Sequence, residues 1–316
     1  TLLYTEMINA NAISKGNRTR LLDFSEIEHP LALQIGGSDP KLLAEATKIG
    51  VDWGYDEINL NVGCPSSRVT SGDFGAVLMK RKDHVAKCVD AMAQFSSNVP
   101  ISVKCRIAVD DQDPEEILPS FIKTVSNSGV SIFIIHARKA ILSGLSPKDN
   151  RKIPPIDYNL VKKIKAQFPK LEICLNGEIK DLSSVMNFIS DGIDGCMIGR
   201  EVYKNPSKIL ENADEKIFKK MDLFGKSKKR TLYEALLKMI PYLESHLQKG
   251  GKASSVLRHL INSVSGLEGA KLFRSTLSEN MNKKNQPEIF EKALKLVNFT
   301  DKKTDVEGTQ FESGLV

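Results

Sequence analysis

Short apolar runs rich in β-branched residues alternate with longer amphipathic stretches over the first two-thirds of the chain, and this alternation limits the fold more than any other feature. The runs are LLYTEMI (2–8), LALQIGG (31–37), EINLNVG (57–63), ISVKCRI (101–107), SIFIIHA (131–137), EICLNGE (172–178) and GCMIGR (195–200). Between them lie helical patterns such as 39–50 and 157–168, opened by Asp39 and Asp157, residues able to cap a helix. Repeated strand–helix alternation implies parallel strands covered by helices. Seven strands approach the eight of a (β/α)8 TIM barrel. A doubly wound sheet is the competing architecture, and the lack of a GxGxxG after an early strand weighs against it.

Nearly every run finishes on a chemically capable group: Gln34, then Asn61 with Cys64, Lys104 with Arg106, His136 with Arg138, Asn176 with Glu178, and Gly199 with Arg200. The carboxyl ends of barrel strands are where this architecture keeps its active sites. Each residue has a bland reading of its own. Gln34 or Asn176 can bond loop backbone, His136 can be a satisfied core histidine, and Cys64, between Gly63 and Pro65, can be a small buried residue at a strand end. Six strand ends together favour a site. Its late members, NGE (176–178) and MIGR (197–200), suit an anion held by backbone N–H groups and Arg200. Two ligands satisfy that arrangement. One is flavin mononucleotide, with Lys104 and His136 near its ring; the other is a sugar phosphate, with Lys104 as a Schiff-base lysine.

Composition limits the function classes. The chain has 316 residues, 41% of them hydrophobic and 27% charged, enough for one large core or two smaller ones. Neither an apolar run of eighteen residues nor a charged-then-apolar amino end is present, so no membrane span or signal peptide is expected. Five cysteines, odd in number and without a CxxC pair, argue against a disulfide framework or a structural zinc site and imply a reducing compartment; no metal site is expected. The net charge of +6 is unevenly placed. Residues 1–201 hold 24 basic and 25 acidic side chains, whereas 202–316 hold 21 and 14, so the basic excess belongs to the last third. That third is helical in pattern, with Lys and Arg spread over several segments, as a phosphate-contacting surface requires. KSKKR (226–230) alone reads as a solvated face.

INLNVGCPSSRVTSGDFGAVLM (58–79), SVKCRI (102–107), IIHARKAILSGLSPKDNRKIPPIDY (134–158), LNGEI (175–179) and MIGREVYKNP (197–206) closely resemble the flavin-dependent tRNA-dihydrouridine synthases. The 136–155 segment is similar to their A subfamily, as is GAKLFRSTLSEN (269–280), and the resemblance runs from residue 1 to about 298. It implies a TIM-barrel catalytic domain over 1–203 that holds FMN, a helical tRNA-binding domain over 204–298, and a disordered tail over 299–316. The implied activity is NADPH-driven reduction of a D-loop uridine, at position 20/20a, by a monomeric cytoplasmic enzyme. Carried over motif by motif, Cys64 takes the role of general acid, and Gln34, Lys104, His136, Asn176, Gly177, Glu178, Gly199 and Arg200 match flavin contacts. Asn61, Arg138, Lys139, Lys148, Arg151, Lys271 and Arg274 fall where the family touches RNA or the target base. Two departures are visible: the chain begins inside the family's second strand, leaving the barrel one strand short, and Glu178 stands where the A subfamily has glycine.

The cysteine then has a chemical purpose. Hydride addition to C6 of uracil leaves an enolate-like anion, and saturation of the ring requires a proton at C5 from the side opposite the flavin. An ordinary thiol, with a pKa near 8.5, is still protonated at neutral pH, whereas an aspartate would be ionised. Two alternatives remain at this point. A flavin reductase of a small pyrimidine would have no use for the basic helical domain, and a tRNA-binding folding chaperone would have dispensable chemistry.

Overall fold

The computed structural model describes residues 1–218, 231–281 and 286–299. Two compact units divide the chain, Thr1–Gly199 and Arg200–Val316, so the boundary falls four residues before the 203/204 position read from the sequence. KSKKR and the tail beyond residue 299 lie outside the described residues.

The first unit is a curled parallel sheet with helices packed along it, the architecture of a (β/α)8 barrel. Its strands are β1 (Leu3–Tyr4), β2 (Ile8–Asn9), β3 (Leu31–Gly36), β4 (Glu57–Val62), β5 (Ile101–Arg106), β6 (Ile132–His136), β7 (Glu172–Asn176) and β8 (Gly195–Met197). The order is β1-β3-β4-β5-β6-β7-β8, with β2 also on β3, and every pairing is parallel. Among the described residues no ladder joins β8 to β1, so the sheet is open there.

The first apolar run, expected as one strand over 2–8, forms two short ones. The ladder is interrupted at Thr5, whose hydroxyl accepts the hydrogen bond of the Gln34 backbone N–H at 3.0 Å. Elsewhere the runs become strands whose side chains alternate between two environments. In β4, Ile58, Leu60 and Val62 are buried against helices, while Glu57, Asn59 and Asn61 occupy the other face. The helix Pro40–Trp53 lies close on the apolar side: a Cβ added to its Gly50 would come within 2.8 Å of Leu33 and Ile58 side-chain atoms. Asp39 caps that helix, accepting from the backbone N–H groups of Lys41 and Leu42, and Asp157 caps Tyr158–Gln167 in the same way.

The second unit is helical. Leu236 and Leu243 of the helix Leu232–Gln248 pack with Val256, Phe273, Leu277, Phe290 and Leu294 into a core of its own. A capping box of Thr231 and Glu234 opens the long helix.

Candidate active site

The inner face of the sheet is polar on β4 and β5, where Glu57, Asn59, Asn61, Ser102, Lys104 and Arg106 line it, unlike a barrel filled by branched aliphatic layers. Near the carboxyl ends of the strands, half-buried Lys104 on β5 donates from Nζ to Asn176 Oδ1 on β7 at 3.2 Å, across the intervening β6 with its buried His136. Asn176 in turn donates to the Met197 carbonyl of β8 at 2.8 Å. Gln34 on β3 accepts from Asn61 Nδ2 at 2.8 Å. Four residues assigned to the flavin and one assigned to the base thus share one end of one sheet.

Lys104 and buried Arg106 are two cations that form no ion pair among the described residues. Loss of water lowers the Lys104 ammonium to about 8, with repulsion from Arg106 adding to the effect. Burial likewise lowers Arg106 to about 10. Two neighbouring cations that no carboxylate among the described residues neutralises suit an anion.

The Cys64 loop is held on every side. Asn61 Oδ1 accepts from the backbone N–H groups of Gly63 and Cys64 at 3.1 and 3.0 Å. Arg106 Nε donates to the Gly63 carbonyl at 3.2 Å, and the Ala76 N–H donates to the Cys64 carbonyl at 2.9 Å. Gly75, at φ +74°, closes over the loop where a Cβ would meet Val69 Cγ1 at 2.4 Å and the Cys64 carbonyl oxygen at 2.7 Å. Half-buried Cys64 lies within electrostatic range of both Lys104 and Arg106.

The segment from Arg138 to Asp157 has little regular structure, and side chains from the barrel hold it. Arg106 Nη1 donates to the carbonyls of Lys139 and Asn150 at 3.1 and 3.0 Å. Fully buried Asn150 exchanges two hydrogen bonds with the Ile141 backbone, accepting at 2.7 Å and donating at 2.8 Å. Arg138 is buried, bonded to the Pro154 carbonyl and ion-paired with Glu178 at 2.7 Å. Glu178 itself has φ +50°, a left-handed backbone geometry that favours glycine. Lys148 is exposed, Lys139 and Arg151 are half-buried, and Asp149–Arg151 forms a short 3-10 turn.

Comparison with known proteins decides the family. A sequence model described as dihydrouridine synthase (Dus) matches residues 1–300. This chain belongs to the dihydrouridine synthase family. Among the relatives it resembles, a Synechocystis protein named tRNA-dihydrouridine(20/20a) synthase is 46% identical over 300 residues, covering 95% of this chain and 87% of its own. Proteins of the same name from Shewanella oneidensis and Escherichia coli (strain K12) are each 48% identical, over 283 and 299 residues. They cover 89% and 94% of this chain, and 82% and 84% of their own.

Dihydrouridine synthases are flavin-dependent oxidoreductases. The donor set here fits such a cofactor. Lys104 keeps two N–H donors beyond the one given to Asn176, and the position of a Cβ on Gly199 has nothing within 4 Å. Gly177 lends its carbonyl to the Tyr158 hydroxyl at 2.6 Å, which secures the turn after β7. Arg200 opens the helix Arg200–Lys204 of the second unit. Sequence reasoning noticed Arg106 only as a strand-end cation and passed over Gly75 and Asn150. The GDFG stretch (72–75) carried a signal for Gly75. Nothing local distinguishes Asn150 from a solvated loop residue.

Proposed function

We propose that this enzyme reduces the C5–C6 double bond of a D-loop uridine in tRNA, at position 20/20a, with FMN as cofactor and NADPH as reductant. The observation that carries this reading is a thiol on a loop fixed through both flanking peptides, at the same sheet end as Lys104, His136, Asn176 and Gln34. When bound and reduced, the flavin supplies a hydride to C6 of the base. Gln34, Lys104, His136 and Asn176 hold it on this reading, with Gly177, Glu178, Gly199 and Arg200 on the phosphate side.

Cys64 then gives its proton to C5: the S–H bond breaks, the C–H bond forms, and a thiolate remains. Lys104 and Arg106 are close enough to stabilise that thiolate. Asn61 orients the base as well as the loop. Arg138 acts by holding the 138–157 segment, on which Lys139, Lys148 and Arg151 meet the RNA. A uridine inside a folded loop reaches such a site only when flipped out, so tRNA is recognised through its shape.

Cys64→Ala tests the reading. The variant should bind FMN and accept electrons from NADPH, while reoxidation of its flavin by saturating tRNA falls by roughly 10²–10⁴, the contribution of a positioned general acid. Parental reoxidation would reduce Cys64 to a packing residue. A variant of the whole protein that turned over free pyrimidines but ignored tRNA would favour the small-molecule reductase instead.

A further inference from the structure

A one-way chain of hydrogen bonds runs through the inside of the barrel to the Cys64 loop. The Gly63 and Cys64 N–H groups donate to Asn61 Oδ1, and Asn61 Nδ2 donates to Gln34 Oε1 at 2.8 Å. Gln34 Nε2 donates to Asn59 Oδ1 at 2.8 Å, and Asn59 Nδ2 donates to the Ser102 hydroxyl at 2.6 Å. Ser102 Oγ donates to Glu57 Oε1, which also accepts from the Tyr4 hydroxyl at 2.8 Å. Asn59 and Ser102 are fully buried and Glu57 nearly so.

Every donor in this chain faces Glu57. A carboxylate can only accept, so it leaves the serine hydroxyl one direction to donate, and the three amides follow in sequence. A different order at the far end has a clear cost: with the Asn61 amide reversed, its NH2 would confront the N–H groups of Gly63 and Cys64, and the loop would lose both anchors. Among the described residues the groups facing Glu57 are the Tyr4 and Ser102 hydroxyls and, more distantly, Glu172 and Cys174, with no cation among them. An ion pair does not explain the buried charge, whereas the polarity of the chain does.

We propose that Glu57 is a positioning residue for the reaction: its carboxylate, at the start of the strand that leads into the Cys64 loop, sets the orientation of the Asn59, Gln34 and Asn61 amides and thereby fixes the loop that presents Cys64. The consequence for the reaction rests on the reading of Cys64 as the acid; the structural coupling does not. Glu57→Gln keeps size and shape but introduces a donor, so the serine and amides gain a second, reversed arrangement. Ser102→Ala cuts the chain while leaving the carboxylate in place. Tyr4→Phe removes a donor to Glu57 that lies off the chain.

Two readouts in the FMN-loaded protein test this. The first is the rate at which iodoacetamide alkylates Cys64, followed by mass spectrometry of the Cys64 peptide so that Cys174 and Cys196 do not interfere. The second is single-turnover reoxidation by saturating tRNA. Glu57→Gln and Ser102→Ala should each alkylate faster than the parent and reoxidise more slowly by about one to two decades, as expected of a misplaced reacting group. The double variant should be no worse than either alone, because both break one chain. Tyr4→Phe should match the parent in both assays. Parental behaviour of Ser102→Ala, which retains the charge and is the milder change should Glu57→Gln fail to fold, would overturn the proposal, as would additive effects in the double variant. If Cys64→Ala reoxidises normally while the alkylation shifts persist, the acid reading fails and the coupling stands; a normal alkylation rate beside a defective Cys64→Ala has the opposite meaning.

Discussion

Cys64 owes its position to the Asn61 and Arg106 side chains and the Ala76 backbone N–H, and two residues nearby give separate tests of that arrangement. Gly75 combines φ +74° with a Cβ direction blocked by Val69 and the Cys64 carbonyl. Gly75→Ala should therefore lose about 1–3 kcal/mol of stability in denaturant unfolding, from the left-handed backbone together with overpacking, and should slow tRNA-dependent reoxidation because the loop it displaces carries the thiol. Lys104 gives a pH test. Its folded-state value of about 8 lies below the roughly 10.4 of an unfolded chain. The folded protein therefore sheds this proton first, and the cofactor-free protein should gain stability from this group as pH rises between those values. On the proposed reading, affinity for reduced, anionic FMN should move the other way, weakening above pH about 8, while Lys104→Arg keeps its charge and its affinity there. A flat profile in the parent would show that Lys104 does not face the flavin's charge. The strand-end residues were visible in the sequence because a polar group closing a β-branched run is conspicuous. Glu57, Asn59 and Ser102 were not, because inside strands that read as buried they look like tolerated exceptions, and their partners lie 25 to 53 residues away.

At the scale of elements, the strands and capped helices follow from local rules, whereas the 138–157 segment does not. Hydrophobic alternation marked all the runs that became strands, and aspartate caps marked the starts of two helices. One run was misread: the sequence over 2–8 has the composition of a single strand, but Thr5 takes over a ladder hydrogen bond and divides it. The 138–157 segment has no period to read, since its shape comes from Arg106, Asn150 and the Arg138–Glu178 pair rather than from its own backbone ladder. Asn150→Ala should leave the half-buried Ile141 backbone N–H and carbonyl without their Asn150 partners, at a cost of about 1–3 kcal/mol. The expected signature is cleavage confined to 138–157 in limited proteolysis, with the sheet intact. Resistance equal to the parent's would mean that Arg106 and the Arg138–Glu178 pair hold the segment without Asn150.

At the scale of the whole molecule, the division into two units coincides with a division of charge. The first unit is close to neutral, and the basic excess lies in the helical unit. Within that unit the helix Ala270–Asn280 turns Ala270, Phe273 and Leu277 into the core. Lys271 and Arg274, one turn apart, are left exposed and half-buried, and neither forms an ion pair among the described residues. A free Lys–Arg pair on one helix is either an ordinary solvated surface or a contact for two phosphates, and ionic strength separates the two. Each phosphate contact releases condensed counterions and contributes roughly 0.7–0.9 to the slope of log affinity against log salt. Neutralising both residues, as Lys271→Gln with Arg274→Gln, should lower the slope for tRNA binding by about 1.4–1.8 if both meet phosphates. On the proposed reading, reduction of the flavin by NADPH should proceed at the parental rate, since neither residue is among those assigned to the flavin. A salt slope unchanged from the parent would assign the pair to solvent and leave tRNA binding to other basic residues of the chain.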